Sequence, residues 1–472
     1  MEARLRVTDA GRAAAVNAAL EWFDRGEFEK VLARRVAHRT ESQRADAQPD
    51  LRAYLDDEIV PSLAELGFTS RIVANPKGGG PFLIAQRIED PALPTILTYG
   101  HGDVILGYEA QWREGLSPWT LTREGDRWYG RGTADNKGQH TINLAALERV
   151  LEARGRLGFN VKVLLETGEE TGSPGLREVC MAEREALAAD VLIASDGPRL
   201  RAAQPTLFLG SRGAFNFDLT VDLRSGGHHS GNWGGLIANP GTILASAIAS
   251  MVDAQGRILV DALRPPAIPD SVRAALATIE PGEAGGPPVD PAWGEPGLTP
   301  AERVFAWNAL EVLAFVTGNP AHPVNAIPPR ATAHMQLRFV VGCDAAAFVP
   351  SIRAHLDAHG LRDVRVEAAK AEVMHATRLD PAHPWVARVA QSLARTTGHP
   401  PAILPNLGGS LPNDCFADVL GLPTVWVPHS YPACSQHAPD EHLLASVARE
   451  GLAIMTGVFY DIGAAGGVTG VK

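Results

Sequence analysis

Along the first 200 residues, short apolar runs stop abruptly at polar clusters. Thr95 to Tyr99 (TILTY) runs into Gly100-His101-Gly102-Asp103, and Val161 to Leu165 (VKVLL) into Glu166-Thr167-Gly168-Glu169-Glu170. Val191 to Ala194 (VLIA) ends in Ser195-Asp196-Gly197-Pro198 in the same way. Runs this short and this apolar predict strands buried on both faces. Helix-like stretches separate them, as at His140 to Arg154 and Pro174 to Ala188. Strands alternating with helices predict an α/β fold with a mostly parallel sheet flanked by helices. In such sheets ligands bind beyond the carboxyl ends of the strands, which is where all three polar clusters fall.

From about Phe208 the pattern changes. Phe215, Phe217, Leu219, Val221 and Leu223 alternate with Asn216, Asp218, Thr220 and Asp222, and Met335, Leu337 and Phe339 alternate in the same way. One buried and one wet face per strand predicts an antiparallel sheet. The Pro/Gly-rich stretch Pro281 to Pro300 reads as a long loop. Residues 208–378 are therefore expected to form an inserted α+β domain. Residues 1–207 and 379–472 are expected to form the domain it interrupts, with Val386 to Thr397 helical and Pro423 to Pro428 (PTVWVP) a returning buried strand.

Composition narrows the function. At 472 residues the chain exceeds one ordinary core, which agrees with two domains. A net charge of −11 argues against nucleic acid or an anionic membrane surface as partner. The first 26 residues carry charges throughout, unlike a signal peptide, and read as an amphipathic helix. No apolar run is long enough to span a bilayer. Cys180, Cys343, Cys415 and Cys434 form no CxxC pair, so reduced thiols and a cytoplasmic location are expected.

The polar clusters are the candidate chemistry, and each also has a plain structural reading. His101 and Asp103 share a face of an extended segment, so the carboxylate can orient the imidazole; the same pair also fits a polar loop. Asp135, in Tyr129-Gly130-Arg131-Gly132-Thr133-Ala134-Asp135-Asn136-Lys137-Gly138, is either a helix N-cap or a ligand approached closely through glycines. Glu169 and Glu170 are a solvated pair, or one ligand beside one proton carrier. Asp196 could cap a turn, and His437, in Cys434-Ser435-Gln436-His437-Ala438-Pro439-Asp440-Glu441, could be any loop histidine.

Taken in order, GHGDV, YGRGTADNKG, ETGEETGSPGL, SDGP and SQHAPDE resemble the dizinc metallopeptidase family of aminoacylase, carnosinase, succinyl-diaminopimelate desuccinylase and acetylornithine deacetylase. The resemblance implies two divalent metal ions, zinc with cobalt or manganese as substitutes. His101 and Asp196 would hold one ion and Glu170 and His437 the other. Asp135 would bridge them, next to a cis Asp135–Asn136 peptide. Asp103 would orient His101. Glu169 would be general base and acid for a metal-bound hydroxide attacking an amide or peptide bond.

The inserted domain would be a lid and dimerisation domain. His229, in Gly227-His228-His229-Ser230-Gly231, would reach into a partner subunit's site and polarise the scissile carbonyl. Arg338 would grip a substrate carboxylate with Gly409 and Ser410. Asn325 stands where carnosinase-like relatives often carry Thr, which leaves its contact open. The remaining histidines, His140, His322, His334, His375, His429 and His442 among them, are read as structural. The implied protein is a homodimeric hydrolase of small carboxylate-bearing peptides, dipeptidase- or carboxypeptidase-like. An N-acyl-amino-acid deacylase is the alternative. A non-catalytic binding protein of this fold is a further one, and the presence of Glu169 and Asp135 argues against it.

Overall fold

The apolar runs of the first 200 residues become neighbours in one twisted sheet. The computed structural model describes residues 2–282, 286–369 and 373–464. Among them, eight strands are ordered Thr69–Val73, Phe82–Arg87, Asn160–Glu166, Thr95–His101, Val191–Ala194, Thr424–Trp426, Thr206–Phe208 and Ala402–Leu404. The four central strands, Asn160–Glu166 to Thr424–Trp426, are mutually parallel. Phe82–Arg87 runs against them on one side, with Thr69–Val73 antiparallel to it in turn, and the parallel pair Thr206–Phe208 and Ala402–Leu404 runs against them on the other.

Two-sided burial explains why these strands show no polar alternation. Val161, Val163, Leu165, Val191, Ile193 and Val425 enter one apolar cluster, with helices Glu2–Asp24, Lys137–Arg154 and Ala445–Ala464. Their neighbours Leu97, Tyr99, Leu164, Leu192, Ala194 and Trp426 enter another on the opposite face, with helix Leu176–Ala182. Each face needs a helical cover because neither can be left to water. Among the described residues no helix is long and apolar enough to cross a membrane.

The alternating strands form a second, four-stranded antiparallel sheet ordered Ala309–Thr317, Arg330–Phe339, Gly213–Asp222 and Arg365–Ala368. Phe215, Phe217, Leu219, Val221, Met335 and Leu337 face helices Pro240–Met251 and Phe348–Ala358 in a core of their own. A stretch inside this part of the chain packs elsewhere. Ile268, Val272, Leu276, Ile279, Ala301 and Phe305 join the core beneath the larger sheet. Helix Pro300–Phe305 starts there at a capping box, with Thr299 and Glu302 each bonding the other's backbone N–H.

Phe217 is fully buried and stacks on Phe215 with ring centroids 5.4 Å apart. Phe217→Ala is expected to lower the opening free energy of the small sheet's slow-exchanging amides by about 3–5 kcal/mol. A loss below about 1 kcal/mol in hydrogen exchange would contradict this packing.

Candidate active site

Strand ends deliver the first residues. His101 closes its strand directly opposite Glu166 on the parallel neighbour, so the Glu169-Glu170 turn and His101 emerge on one edge. Asp196 leaves the next strand two residues after Ala194. The glycines around His101 answer a packing need. A Cβ at Gly100 would lie 2.7 Å from the His140 Cβ, and one at Gly102 would lie 2.5 Å from the Tyr54 ring. His140 itself is structural: it is buried and meets the Tyr54 hydroxyl at 2.6 Å.

Asp135 comes from the turn before helix Lys137–Arg154, and the Asp135–Asn136 peptide is cis, as the resemblance implies. This turn is held by a residue the sequence reading passed over. Buried Glu441 accepts the backbone N–H groups of Gly132, Ala134 and Asp135 and pairs with Arg131 at 2.8 Å. Its place four residues after His437, in the quoted motif, was the available signal. His437 lies on a loop where Ser435, His437 and Asp440 all have positive φ, at 57°, 59° and 61°. Non-glycine residues rarely adopt that region, and a cluster of them marks a segment shaped by its surroundings.

Asp135 offers one oxygen to each histidine. Its Oδ1 is 3.0 Å from His101 Nε2, and its Oδ2 is 3.0 Å from His437 Nε2. His101 Nε2 is also 3.8 Å from Asp196, and His437 Nε2 is 3.0 Å from Glu170. Two triads result, His101–Asp135–Asp196 and Asp135–Glu170–His437, each with ligand atoms within 4.8 Å of one another. Gln436 adds an amide donor to Asp135 Oδ2.

Asp103 has a wider role than orienting His101. His101 Nδ1 is 3.0 Å from the Asp103 backbone carbonyl and 3.4 Å from its carboxylate. The same carboxylate accepts the backbone N–H groups of Glu169 and Glu170 at 3.2 and 3.1 Å. It thus ties the imidazole and the paired glutamates into one frame.

The charges in this cluster are poorly balanced without a cation. Burial lifts the Glu169 carboxyl well above its ordinary range, and neighbouring Glu170, Asp196 and Asp135 add to this against His101. Burial and the Asp135 charge push Glu170 up to about 7. Burial pushes Asp196 up to about 6, outweighing His101. Hydrogen bonds donated to Asp135 and Glu170 push His437 up to about 11. Burial works against the Asp135 charge, but hydrogen bonds from His101 and His437 hold this carboxyl below its usual range. Asp196 Oδ2 is buried without a hydrogen-bond partner. An orphaned carboxylate oxygen in an imidazole–carboxylate set without thiols fits divalent cations.

The substrate-side residues fall into two groups. Arg338 and Ser410 meet: the guanidinium donates to the Ser410 hydroxyl at 2.8 Å, and that hydroxyl donates to the Arg212 carbonyl at 2.6 Å. Gly409 lies between Ser410 and Gly408, whose carbonyl accepts from Arg212 Nε at 2.8 Å. Arg212 went unnoticed in the sequence because a single arginine at a strand start has no periodic signature. Burial and Arg338 push its guanidinium down to about 10, so the adjacent cations present a basin for an anion. His229 and Asn325 meet on a short ribbon, where the Ser230 N–H donates to the Asn325 carbonyl at 2.9 Å, and both residues are exposed. Among the described residues neither side chain is hydrogen-bonded to the two triads.

Two imidazole–carboxylate triads sharing an aspartate at the carboxyl edge of a mostly parallel sheet define a metallohydrolase. The chain belongs to peptidase family M20/M25/M40, whose sequence pattern it matches over residues 97–461. It is a hydrolase of the metallopeptidase class and uses divalent metal. It is 29% identical to a cysteinylglycine-S-conjugate dipeptidase of Corynebacterium striatum, over 68% of this chain and 70% of that protein. It is 36% identical to the β-Ala-His dipeptidase of Mus musculus over 38% of this chain, but the match spans only 37% of that protein. An M20 family metallo-carboxypeptidase from Sulfolobus solfataricus has the same fold, with a TM-score of 0.78 at 23% identity over 93% of this chain and 99% of that one.

A cation bound by the two triads would displace the protons held by Glu170 near pH 7 and Asp196 near pH 6. In the metal-free chain these raised values favour the folded state below the ordinary carboxylate range. That contribution is lost as pH rises through about 6 and about 7. Metal binding therefore strengthens over the same interval. The Tm difference between metal-saturated and chelated protein is expected to widen from about pH 5 to about pH 7.5, with proton release on binding. Calorimetry in buffers of different ionisation enthalpy checks it; affinity that falls over this range would contradict the ligand set.

Proposed function

We propose that the chain is a dinuclear-metal dipeptidase acting on small peptides with a free carboxylate. Its catalytic domain comprises residues 1–207 and 379–472, to whose core Ile268, Val272, Leu276, Ile279, Ala301 and Phe305 are joined, and the remainder of residues 208–378 forms a lid. The observation carrying this reading is the division of Asp135 between the His101 and His437 triads, with Glu169 beside them. Similarity to the two dipeptidases supports the substrate class.

Two divalent ions, zinc with cobalt or manganese as substitutes, would be held by His101 with Asp196 and by Glu170 with His437. They would supply Lewis acidity and lower the pKa of a water. Glu169 takes that water's proton and returns it to the departing nitrogen. Its buried setting, which raises its proton affinity, suits a group that must carry a proton between two steps. Asp103 keeps Glu169 and Glu170 in register through their backbone N–H groups. Arg338, Gly409 and Ser410 receive the substrate carboxylate, with Arg212 setting the position of the loop.

The lid is assigned a second part. His229, exposed on its ribbon beside Asn325, polarises the scissile carbonyl in the site of a second copy. The edge strand Ala309–Thr317 exposes Val312, Leu313, Phe315 and Val316. An open apolar edge is a surface that pairs with another chain, which supports a homodimer.

Glu169→Gln is expected to retain metal by elemental analysis while kcat falls about 10²–10⁴-fold. Near-normal single-turnover rates at full metal content would remove Glu169 from the reaction. Arg338→Ala is expected to raise KM for dipeptides about 10–100-fold. C-terminally amidated analogues should lose far less, and equal loss on both would assign the arginine another task.

A further inference from the structure

An apolar cleft of about 790 Å³ opens beside the candidate site. Three of its lining segments run directly into site residues. Pro198 follows Asp196, Gly409 precedes Ser410, and Ala433 lies four residues before His437. The facing wall comes from the stretch before and within helix Pro300–Phe305, chiefly Trp293, Val304 and Phe305, against a floor of Leu404 and Leu407. This wall abuts the carboxylate loop: a Cβ at Gly408 would lie 3.3 Å from Val304 Cγ1 and 3.7 Å from the Phe305 ring.

The wall is anchored yet apolar. The cleft's charged lining residues are engaged: Arg303 donates to the carbonyls of Pro291 and Trp293, Arg199 pairs with Glu450, and Asp290 accepts the Ala292 N–H. The Trp293 indole rests against Gly256, where a Cβ would come within 2.5 Å of the ring, yet Trp293 remains 48% exposed. A fixed, half-exposed indole lining a concave apolar surface fits a ligand group better than it fits water.

We propose that this cleft is the specificity pocket for the side chain of the substrate's C-terminal residue, and that it selects aromatic or large aliphatic groups there. The inference rests on the dipeptidase reading above. In an amino acid the carboxylate and the side chain leave the same Cα. A carboxylate held by Arg338 and Ser410 therefore places its own side chain next to Gly409, which lines the cleft. The absence of side chains at Gly408 and Gly409 leaves that passage open.

The test compares kcat/KM of the zinc-loaded full chain for dipeptides that share an N-terminal residue and end in Gly, Leu or Phe. Leu and Phe are expected to exceed Gly by about tenfold or more. Trp293→Ala removes part of the wall and Val304→Trp fills the cleft. Each should cut the Phe/Gly ratio at least about fivefold. Trp293 is half-exposed, so its truncation spares the core. Titration of N-acetylphenylalanine against N-acetylglycine reads the same contrast as binding, without turnover. A selective, variant-sensitive affinity for N-acetylphenylalanine with no dipeptide cleaved would uphold the cleft and sink the dipeptidase reading. Efficient cleavage with a flat Gly–Leu–Phe series, or with ratios unmoved in both variants, would overturn the cleft and leave that reading standing.

Discussion

The site depends on one buried carboxylate facing two ways. Asp135 presents one oxygen to His101 and the other to His437, so two chain segments more than 300 residues apart must be held about an imidazole's reach from a single turn. Burying such a group is unfavourable unless it is paired and its surroundings are hydrogen-bonded. Both conditions are met: the imidazoles supply the pairing, and Glu441 fixes the turn through three backbone N–H groups and Arg131. The positive φ values at Ser435, His437 and Asp440 are the conformational cost of bringing the second histidine in.

The paired glutamates need separate support, because their segment follows a strand end and has no regular structure beyond one short turn. Asp103 clamps it from below through two backbone N–H groups. Glu166, at the end of its strand, anchors it from the other side by accepting from the Tyr99 hydroxyl at 2.6 Å and the Ser173 hydroxyl at 3.0 Å. Burial, with the Asp103 charge, pushes Glu166 up to about 7, so near neutrality this anchor carries only part of its charge, which moderates the negative field around Glu169 and Glu170. A frame of this kind holds Glu169 and Glu170 at a fixed position beside the two triads, as the proposed proton transfer requires.

How much of this was legible follows from period and locality. The strands Thr95–His101, Asn160–Glu166 and Val191–Ala194 declared themselves because burial on both faces leaves no polar position inside them. The alternation at Phe215–Val221 announced an antiparallel sheet for the converse reason. The convergence of His101, Asp135, Glu170, Asp196 and His437 needed the family resemblance, since each cluster alone also fits a polar loop. Supporting groups stayed hidden. Glu441 and Arg212 act through backbone atoms of distant segments, and such contacts have no spacing to read. Nor does anything in the pattern from Ile268 to Phe305 say which of two cores that stretch will join, because either offers an apolar face.

That last placement connects the two ends of the site. The cluster of the two triads is strongly acidic, so it repels a carboxylate that approaches it. The Arg212–Arg338 pair is the local exception, half-buried so that its field is weakly screened. Under the function proposed above, a peptide would enter with its carboxylate toward the arginines and its amide toward the acids. The Ile268–Phe305 stretch packs under the larger sheet and brings Val304 and Phe305 against Gly408. It thereby ties the loop that bonds both arginines into the core beneath the larger sheet. Gly408 and Ser410 follow strand Ala402–Leu404 of the larger sheet, whereas Arg338 lies on one strand of the smaller sheet and Arg212 immediately precedes another. The bonds of both arginines to this loop therefore join the two sheets at the candidate carboxylate site.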